Sequence, residues 1–234
     1  MTSLTDRVAV VTGGSKGIGR AIVRHLARQG AHVVALGRHQ ETLDETRASM
    51  AEEGLSIECL VADVALPDAV GRAVQTTVQK FGRIDVLVNN AGMGVFRPVR
   101  DMSVEEFDAM WHTNVRGVFL MCRAVLPHMS AGGGDIINIA SLAGKNALKG
   151  GAGYAATKWA LRGFAQSLML EVRDQNIRVV TIFPGSVDTA FSSMNKRGDK
   201  ITQPQDVADA VLFAIGTPSR AMVSEIDIRP TNPS

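Results

Sequence analysis

The chain has 234 residues, of which 45% are apolar and 21% are charged, and its net charge at pH 7 is +2 with the five histidines neutral. This composition excludes an intrinsically disordered chain, and the length favours one α/β domain with a sizeable core over two domains. Lysines and arginines form no run long enough to follow a phosphate backbone, which argues against nucleic acid as a partner.

Cys59 and Cys122 are the two cysteines, and both lie in apolar stretches, as buried free thiols usually do. Two such cysteines provide neither a disulfide framework nor a zinc pattern, and the histidines lack metal-ligand spacing, so no metal site is predicted. The first residues lack a basic segment followed by an apolar one, and no apolar run reaches the roughly 18 residues of a membrane span. We therefore expect a soluble, cytoplasmic protein without membrane contact.

Short β-branched runs alternate with longer amphipathic segments along the chain, which predicts a parallel sheet with crossover helices. The predicted strands are Arg7–Thr12, Ala31–Leu36, Ile57–Ala62, Ile84–Asn89, Asp135–Ala140, Ile177–Phe183 and Met222–Ile228. Most of them are near-continuous apolar runs, which is typical of strands that helices cover on both faces.

The helical segments between the strands have recognisable ends. The first amphipathic helix ends near Gly30, a plausible C-cap. Ser103 and Glu106 have the spacing of a capping box, which predicts a helical segment running toward Met129, and a last helix is predicted over residues 204–216. Because glycines gather where strands pass into helices, we expect ligands at the carboxyl ends of the strands.

A glycine-rich turn follows the first predicted strand, with Gly13, Gly17 and Gly19 within Thr12–Gly19. Glycine adopts positive φ angles and lets the backbone approach a pyrophosphate, whose charge the N-terminus of the next helix then meets. The spacing differs from the G-x-G-x-x-G fingerprint, and a plain tight turn is the alternative. The position between a strand and a helix favours a dinucleotide site.

This turn, together with Asn89–Gly92, Tyr154–Lys158 and Pro184–Thr189, resembles the ordered signatures of the short-chain dehydrogenase/reductase family from Arg7 to about Ile228. The resemblance implies one doubly wound Rossmann domain over residues 1–234. It also implies a seven-stranded, mainly parallel sheet flanked by helices, in the strand order 3-2-1-4-5-6-7. The activity it implies is hydride transfer between a nicotinamide and a carbonyl or alcohol carbon.

The end of the second strand favours NADP(H) over NAD(H). Enzymes that use NAD place a carboxylate there for the adenosine ribose, whereas this chain has Gly37 followed by Arg38. A guanidinium pairs well with a 2′-phosphate, and Ser15 and Lys16 are placed to assist. The alternative is that Arg38 only ends a strand in solvent.

The resemblance also places Asp63 at the adenine amino group and the segment 184–189 at the nicotinamide carboxamide. A strand-end aspartate that only caps the next turn is the alternative for Asp63. In all, cofactor contacts are predicted at Gly13, Ser15, Lys16, Gly17, Ile18, Gly19, Arg38, Asp63, Val64, Asn90, Ala91, Gly92, Tyr154, Lys158, Pro184, Gly185, Val187 and Thr189.

Tyr154 is the only tyrosine of the chain, and Lys158 follows it by four residues, so both side chains share one helical face. A free phenol has a pKa near ~10, and a neighbouring ammonium lowers that pKa. Ser141 closes the fifth strand, where its hydroxyl can polarise a substrate carbonyl. A packed tyrosine, a solvated lysine and a helix-capping serine are the alternatives.

Asn114 falls in the middle of a predicted helix, where asparagine is unfavourable. The resemblance implies that it kinks the helix and holds a water against the lysine, which completes the catalytic set Asn114, Ser141, Tyr154 and Lys158. In the implied reduction Tyr154 gives its proton to the carbonyl oxygen, while Lys158 binds the nicotinamide ribose.

The substrate is less determined by the sequence. A short lid is expected over about 186–203, and the candidate lining of an apolar pocket is Met93, Val95, Leu142, Leu148, Phe191 and Met194. These residues favour a ketone, an aldehyde or a 3-oxoacyl group, including an acyl chain on a carrier protein.

Partners and competing functions also follow from the resemblance. Family members assemble as dimers or tetramers through the helices that correspond to Ser103–Met129 and Gly151–Arg173, so a homo-oligomer is expected. Two other functions stay open: an NAD-linked alcohol dehydrogenase working in the oxidative direction, and a non-catalytic NADP-binding sensor or structural protein.

Overall fold

The computed structural model describes residues 3–129, 132–191 and 200–231. Seven strands in these residues form one sheet: β1 Val8–Thr12, β2 His32–Gly37, β3 Ile57–Val61, β4 Val86–Asn89, β5 Gly134–Ile139, β6 Ile177–Pro184 and β7 Glu225–Ile228. They lie in the order β3-β2-β1-β4-β5-β6-β7, and each neighbouring pair is parallel. The predicted fold class and strand order are confirmed.

Seven α-helices of the described residues flank this sheet: α1 Gly17–Arg28, α2 Gln40–Glu52, α3 Pro67–Phe81, α4 Val104–Trp111, α5 Gly117–Val125, α6 Ala152–Val172 and α7 Pro204–Gly216. The last helix has the predicted bounds. Gly30 follows α1 with a φ of +88°, so glycine is favoured at the position where the sequence predicted the helix end. In the described part of the chain, none of the helices is long and apolar enough to cross a membrane.

The helices bury apolar side chains on both faces of the sheet. Ala9 and Val11 of β1 pack in one cluster, which includes residues of α1 and α7. Val10 packs on the opposite face, in a cluster to which α3, α5 and α6 contribute. Successive residues of a strand point to opposite faces, and this explains why β1 is apolar throughout.

The segment from Ser103 toward Met129 is helical, as predicted. The capping box is present, since Ser103 Oγ accepts from the backbone N–H of Glu106 at 3.2 Å and the Glu106 carboxylate accepts from the backbone N–H of Ser103 at 3.1 Å. The backbone stays helical between α4 and α5, which a π-helical turn at His112–Arg116 joins. That turn contains Asn114.

The parallel arrangement brings the carboxyl ends of the strands to one edge of the sheet. The residues that directly follow β1, β2, β4, β5 and β6 therefore share this edge, and they include Gly13, Arg38, Asn90 and Gly185. Helix α6 begins at the same edge, because it follows the short turn after β5. The fold thus gathers the predicted site residues in the crevice where open α/β sheets bind ligands.

Candidate active site

The glycine-rich turn leaves no room for side chains. Gly13 and Gly17 have φ angles of +62° and +51°, which glycine adopts readily. A Cβ on Gly19 would lie 2.1 Å from the carbonyl oxygen of Gly13 and 2.5 Å from Nδ2 of Asn90. Lys16 precedes α1 without making a side-chain capping bond, so the first-turn N–H groups and the helix dipole are available to an anion.

The turn is held in place by the end of β4. Asn90 Nδ2 donates to the carbonyl oxygens of Thr12 and Gly13, at 2.9 Å and 3.2 Å. The backbone N–H groups of Asn90 and Ala91 both donate to Thr12 Oγ1 at 2.9 Å. The side-chain amide of Asn90 therefore supports the turn itself, and the cofactor contact of this residue stays a prediction.

The end of β2 combines a glycine, a hydroxyl and two cations. A Cβ on Gly37 would lie 3.2 Å from Oγ of Ser15, so this hydroxyl directly faces the strand end. Arg38 and Lys16 are exposed, and their side chains make no hydrogen bond or ion pair with another described residue. The arrangement suits a phosphate placed beside β2.

Asp63 and Val64, which follow β3, are both engaged within the protein. Asp63 Oδ1 accepts from the backbone N–H of Ala65 at 2.9 Å, which is the turn-capping role considered as its alternative. Val64 is buried, and a Cβ on Gly117 would lie 2.8 Å from its Cγ2. The structure shows their packing roles, and their adenine contacts stay a prediction.

Ser141, Tyr154 and Lys158 meet beside the end of β5. Ser141 directly precedes a short 3₁₀ turn, and its Oγ accepts from the backbone N–H of Ala143 at 3.1 Å. Tyr154 and Lys158 lie one turn apart on α6 and are both buried. The Lys158 ammonium donates to the carbonyl oxygen of Ile139 at 3.1 Å and lies 5.7 Å from the centre of the Tyr154 ring.

The loop that carries Ser141 is fastened to the edge of the sheet. Lys145 forms ion pairs with Glu225 and Asp227 of β7, at 2.7 Å and 2.6 Å. Its ammonium also lies 4.1 Å from the centre of the Phe183 ring. These contacts fix the segment that follows Ser141, so the hydroxyl is positioned by a rigid support.

Asn114 is fully buried in the π-helical turn. Its Oδ1 accepts from the backbone N–H of Met93 at 2.9 Å, while its Nδ2 donates to the carbonyl oxygen of Met93 at 2.8 Å and to Oγ1 of Thr157 at 3.0 Å. A Cβ on Gly92 would lie 3.4 Å from Asn114 Oδ1 and 3.7 Å from Lys158 Nζ. Asn114 therefore joins the loop after β4 to α6 close to the lysine, and its water relay stays a prediction.

The pKa values of the pair contradict one expectation from the sequence. Burial raises the pKa of Tyr154 to about 12, and a hydrogen bond with Ser141 lowers it only in part. Burial also lowers the pKa of Lys158 to about 8. Because both groups are buried, desolvation disfavours the phenolate and the ammonium alike. Tyr154 thus holds its proton at neutral pH, as a proton donor must.

The buried lysine should cost stability at neutral pH. The unfolded state binds a proton on Lys158 up to a pKa near ~10.4, whereas the folded state releases it near 8, so stability rises with pH between these values. We expect Lys158→Met to raise the free energy of unfolding at pH 7 by roughly 1 to 3 kcal/mol, because it removes a buried charge. Urea denaturation at pH 7 and near pH 10 measures this.

The matched control is Lys149→Met, because Lys149 is exposed. This variant should leave the free energy of unfolding unchanged at both pH values. The gain from Lys158→Met should shrink at the higher pH. A Lys158→Met protein less stable than wild type at pH 7 would contradict the assignment of a costly buried ammonium.

The segment after β6 runs from the loop that carries Ser141 to the glycine-rich turn. A Cβ on Gly185 would lie 3.1 Å from Leu142, next to Ser141, while a Cβ on Gly17 would lie 3.3 Å from Cγ2 of Thr189. Val187 is buried between these positions. Gly17 and Thr189 also border a surface cavity of about 420 Å³. The segment therefore links the glycine turn with the Ser141 loop, as its predicted contact with a cofactor requires.

Apolar side chains surround Tyr154 where the sequence predicts a substrate pocket. Met93 and Val95 pack in the same cluster as the tyrosine, as predicted for the pocket. Leu148 is exposed, and Met194 with residues 192–199 of the expected lid lies outside the described residues. Phe96 was not predicted for this pocket, but its ring centre lies 5.1 Å from that of Tyr154. Its only indication is its place four residues after Gly92.

Comparison with known proteins identifies the family of the chain. The sequence profile of the short-chain dehydrogenases matches residues 7–200. An uncharacterized oxidoreductase of Staphylococcus aureus (strain MRSA252) is 37% identical over 232 residues, which cover 98% of this chain and 100% of the relative.

Two solved structures are also similar. A metagenomic short-chain oxidoreductase in complex with NADP is 38% identical, with a TM-score of 0.87 over 98% of this chain and 99% of the other. An alcohol dehydrogenase from the archaeon Thermococcus sibiricus, complexed with 5-hydroxy-NADP, is 33% identical, with a TM-score of 0.89 over 96% and 97%. On its sequence, its sheet and the order of its motifs, the chain belongs to the short-chain dehydrogenase family of oxidoreductases.

Proposed function

We propose that this chain is an NADP(H)-dependent oxidoreductase that reduces the carbonyl of a ketone, aldehyde or 3-oxoacyl group, or oxidises the corresponding alcohol. The observation that carries the proposal is the meeting of Ser141, Tyr154 and Lys158 at the carboxyl edge of the sheet, across from the glycine-rich turn. A hydroxyl, a protonated phenol and a buried amine at a nucleotide-binding edge suit carbonyl reduction.

The residues at this edge fit a dinucleotide. Gly13 and Gly19 stand where a Cβ would collide with the turn itself, and Gly13 and Gly17 have positive φ angles, so only glycines allow this tight turn before α1. A pyrophosphate would bind the backbone N–H groups at the start of that helix. Gly37, Ser15 and Arg38 favour a 2′-phosphate, and NADP is bound in the similar metagenomic oxidoreductase. The remaining cofactor contacts predicted from the sequence, among them Ile18, Gly92 and Pro184, belong to the same proposal.

NADPH, when bound, supplies the hydride that reduces the carbonyl carbon. Tyr154 donates its phenolic proton to the carbonyl oxygen as negative charge develops on it, and the Ser141 hydroxyl stabilises the same oxygen with a hydrogen bond. Lys158 would hold the cofactor ribose, and its ammonium returns a proton to Tyr154 and regains one from solvent. Asn114 keeps the loop after β4 against α6, so the amine stays in place. Alcohol oxidation reverses these proton movements.

The proposal includes a homo-oligomer of single-domain subunits, each formed by residues 1–234. Large apolar side chains are exposed on the helices expected to associate, including Phe119 of α5 and both Trp159 and Leu170 of α6. Such surfaces are typical of subunit contacts.

The cysteines support a cytoplasmic location. Both are buried free thiols, whereas cysteines of secreted proteins more often form disulfides.

Charges placed on this apolar surface should separate the subunits. We expect wild type to elute as a dimer or tetramer, and Phe119→Glu combined with Leu170→Glu to elute as a smaller species. Size-exclusion chromatography with light scattering measures the mass. Leu66→Glu is the control, because Leu66 is equally exposed but lies before α3. A monomeric wild type would contradict this part of the proposal.

The function is tested by titrating the purified protein with NADPH and NADH, using nicotinamide fluorescence, and then measuring turnover with ketones, aldehydes and 3-oxoacyl thioesters. We expect tight NADPH binding, weaker NADH binding and consumption of NADPH with at least one carbonyl class. Binding without turnover would favour a sensor. Preferential NADH binding with alcohol oxidation would favour an NAD-linked dehydrogenase, and no binding would overturn the proposal.

A further inference from the structure

Three aromatic rings meet at the proposed proton donor. The ring centre of Tyr154 lies 5.1 Å from that of Phe96 and 5.9 Å from that of Phe191, and the two phenylalanine rings lie 6.4 Å apart. Their interplanar angles of 61°, 52° and 79° are edge-to-face or tilted. These are the distances and orientations that aromatic pairs prefer.

The rings come together from three separate parts of the fold. Phe96 lies in the loop after β4, Tyr154 near the start of α6, and Phe191 in the segment after β6. A Cβ on Gly94 would lie 3.0 Å from Cζ of Phe96 and 3.1 Å from Cζ of Phe191. The glycine therefore leaves the space in which the two phenylalanine rings converge.

The two phenylalanines present much apolar surface on the ligand-binding edge. Phe96 is 42% exposed and Phe191 is 45% exposed, whereas Tyr154 is only 6% exposed. A large exposed apolar surface beside a catalytic group marks a ligand site more often than a purely structural contact. The two rings therefore offer exposed apolar surface directly beside Tyr154.

The described residues around the rings are mostly apolar. Behind Tyr154 lie Met110 and the partly buried Met93 and Met102. Arg97, the neighbour of Phe96 in the chain, pairs with Glu106 at 3.1 Å. The thioethers and rings instead favour a flat, polarisable group.

We propose that Phe96 and Phe191, together with the edge of the Tyr154 ring, form an aromatic subsite for an aryl group attached to the carbonyl carbon. The inference rests on the proposed function, because the carbonyl oxygen is placed at the hydroxyls of Tyr154 and Ser141. The substrate class is then aryl ketones and aryl aldehydes. A linear 3-oxoacyl chain has no aromatic ring that could pack against Phe96 and Phe191.

Three ketones distinguish the effect of an aromatic ring on kcat/KM from the effect of substrate size. Acetophenone and cyclohexyl methyl ketone have similar size but only the first has a flat aromatic ring, and butanone is small. With NADPH, wild type should show a kcat/KM for acetophenone about 10-fold above that for cyclohexyl methyl ketone. Replacing both phenylalanines by leucine should abolish this preference by lowering kcat/KM for acetophenone, through KM more than kcat, to about the value for cyclohexyl methyl ketone.

Matched variants test whether the aromatic rings of Phe96 and Phe191 are themselves required. Phe96→Tyr and Phe191→Tyr keep the aromatic face and should retain the preference for acetophenone. Phe213→Leu alters an exposed phenylalanine of α7 and should change nothing. An equal loss on all three ketones in the leucine variants would overturn the subsite, because the rings would then act only by supporting Tyr154. A wild type that prefers cyclohexyl methyl ketone or 3-oxoacyl thioesters would overturn it too.

Binding of the aryl group can also be measured in the absence of turnover. Saturation-transfer NMR of acetophenone with the purified protein should show contact at the aryl protons, and the double leucine variant should lose it. If wild type turns over none of the ketones but shows this contact, the proposed reaction fails while the subsite stands. If wild type reduces ketones but shows no aryl contact and no aryl preference, the subsite alone fails.

Discussion

Replacing Tyr154 by phenylalanine is expected to reduce kcat by about 1000-fold, while the dissociation constant for NADPH changes less than about 2-fold. Only the transferable proton is removed, and the ring keeps its edge-to-face contact with Phe96. Steady-state kinetics with the best carbonyl substrate gives kcat, and quenching or enhancement of nicotinamide fluorescence gives the dissociation constant.

The chain offers an internal check on this result. Tyr154 is its only tyrosine, so the ultraviolet absorbance of phenolate reports the ionisation of this one group. With a pKa raised by burial to about 12, the folded protein should show no phenolate at pH 9. Turnover that survives in Tyr154→Phe would remove the tyrosine from the mechanism, whatever its pKa.

Replacing Arg38 by alanine is expected to weaken NADPH binding by about 10- to 100-fold and NADH binding by less than about 2-fold. Charge-assisted hydrogen bonds to a phosphate contribute roughly 1.5 to 3 kcal/mol, and NADH lacks that phosphate. The exposed Arg38 has no partner among the described residues, so its removal disturbs no internal contact. Parallel fluorescence titrations with the two nucleotides measure the effect.

Arg72→Ala provides the control for loss of a surface charge, because Arg72 is exposed on α3. It should leave both dissociation constants unchanged. Gly37→Asp combined with Arg38→Ala should reverse the preference, since a carboxylate at the end of β2 accepts from ribose hydroxyls and repels a phosphate. Equal weakening of NADPH and NADH by Arg38→Ala would mean that Arg38 does not contact the phosphate.

Much of the fold is predictable because strands buried on both faces have to be apolar throughout. The strand positions, the helix that begins at Pro204 and the capping box at Ser103 all follow from local pattern. The strand order came from the family resemblance, since periodicity does not determine which strands pair. The shortness of β7 was not predicted, because it pairs only with β6 over four residues.

Side-chain direction and burial explain what the sequence could not give. Spacing placed Tyr154 and Lys158 on one helical face, but it did not reveal that the ammonium donates to Ile139 and that both groups are buried. The pKa of Tyr154 was therefore expected to fall, whereas burial raises it. The resemblance did mark Asn114 as a position where the helix is disturbed, but the bonds of its side chain to Met93 and to Thr157 of α6 join residues distant in the chain.

Phe96 shows the same limit for the substrate site. A single aromatic residue in a loop has no periodicity, and its contact with Tyr154 joins positions 58 residues apart. Lys145, which fastens the Ser141 loop to β7, is separated from its partner Asp227 by 82 residues. Both contacts exist only because the parallel sheet brings these loops to one edge.

The central claim is that a hydride passes from NADPH to a carbonyl carbon while Tyr154 protonates the oxygen. The most direct test uses NADPH with deuterium at its transferable position and acetophenone as substrate, with the alcohol analysed by mass spectrometry. We predict one deuterium on the carbinol carbon with wild type and no labelled alcohol above background with Tyr154→Phe. Unlabelled alcohol from wild type, or equal labelling by the variant, would contradict the account.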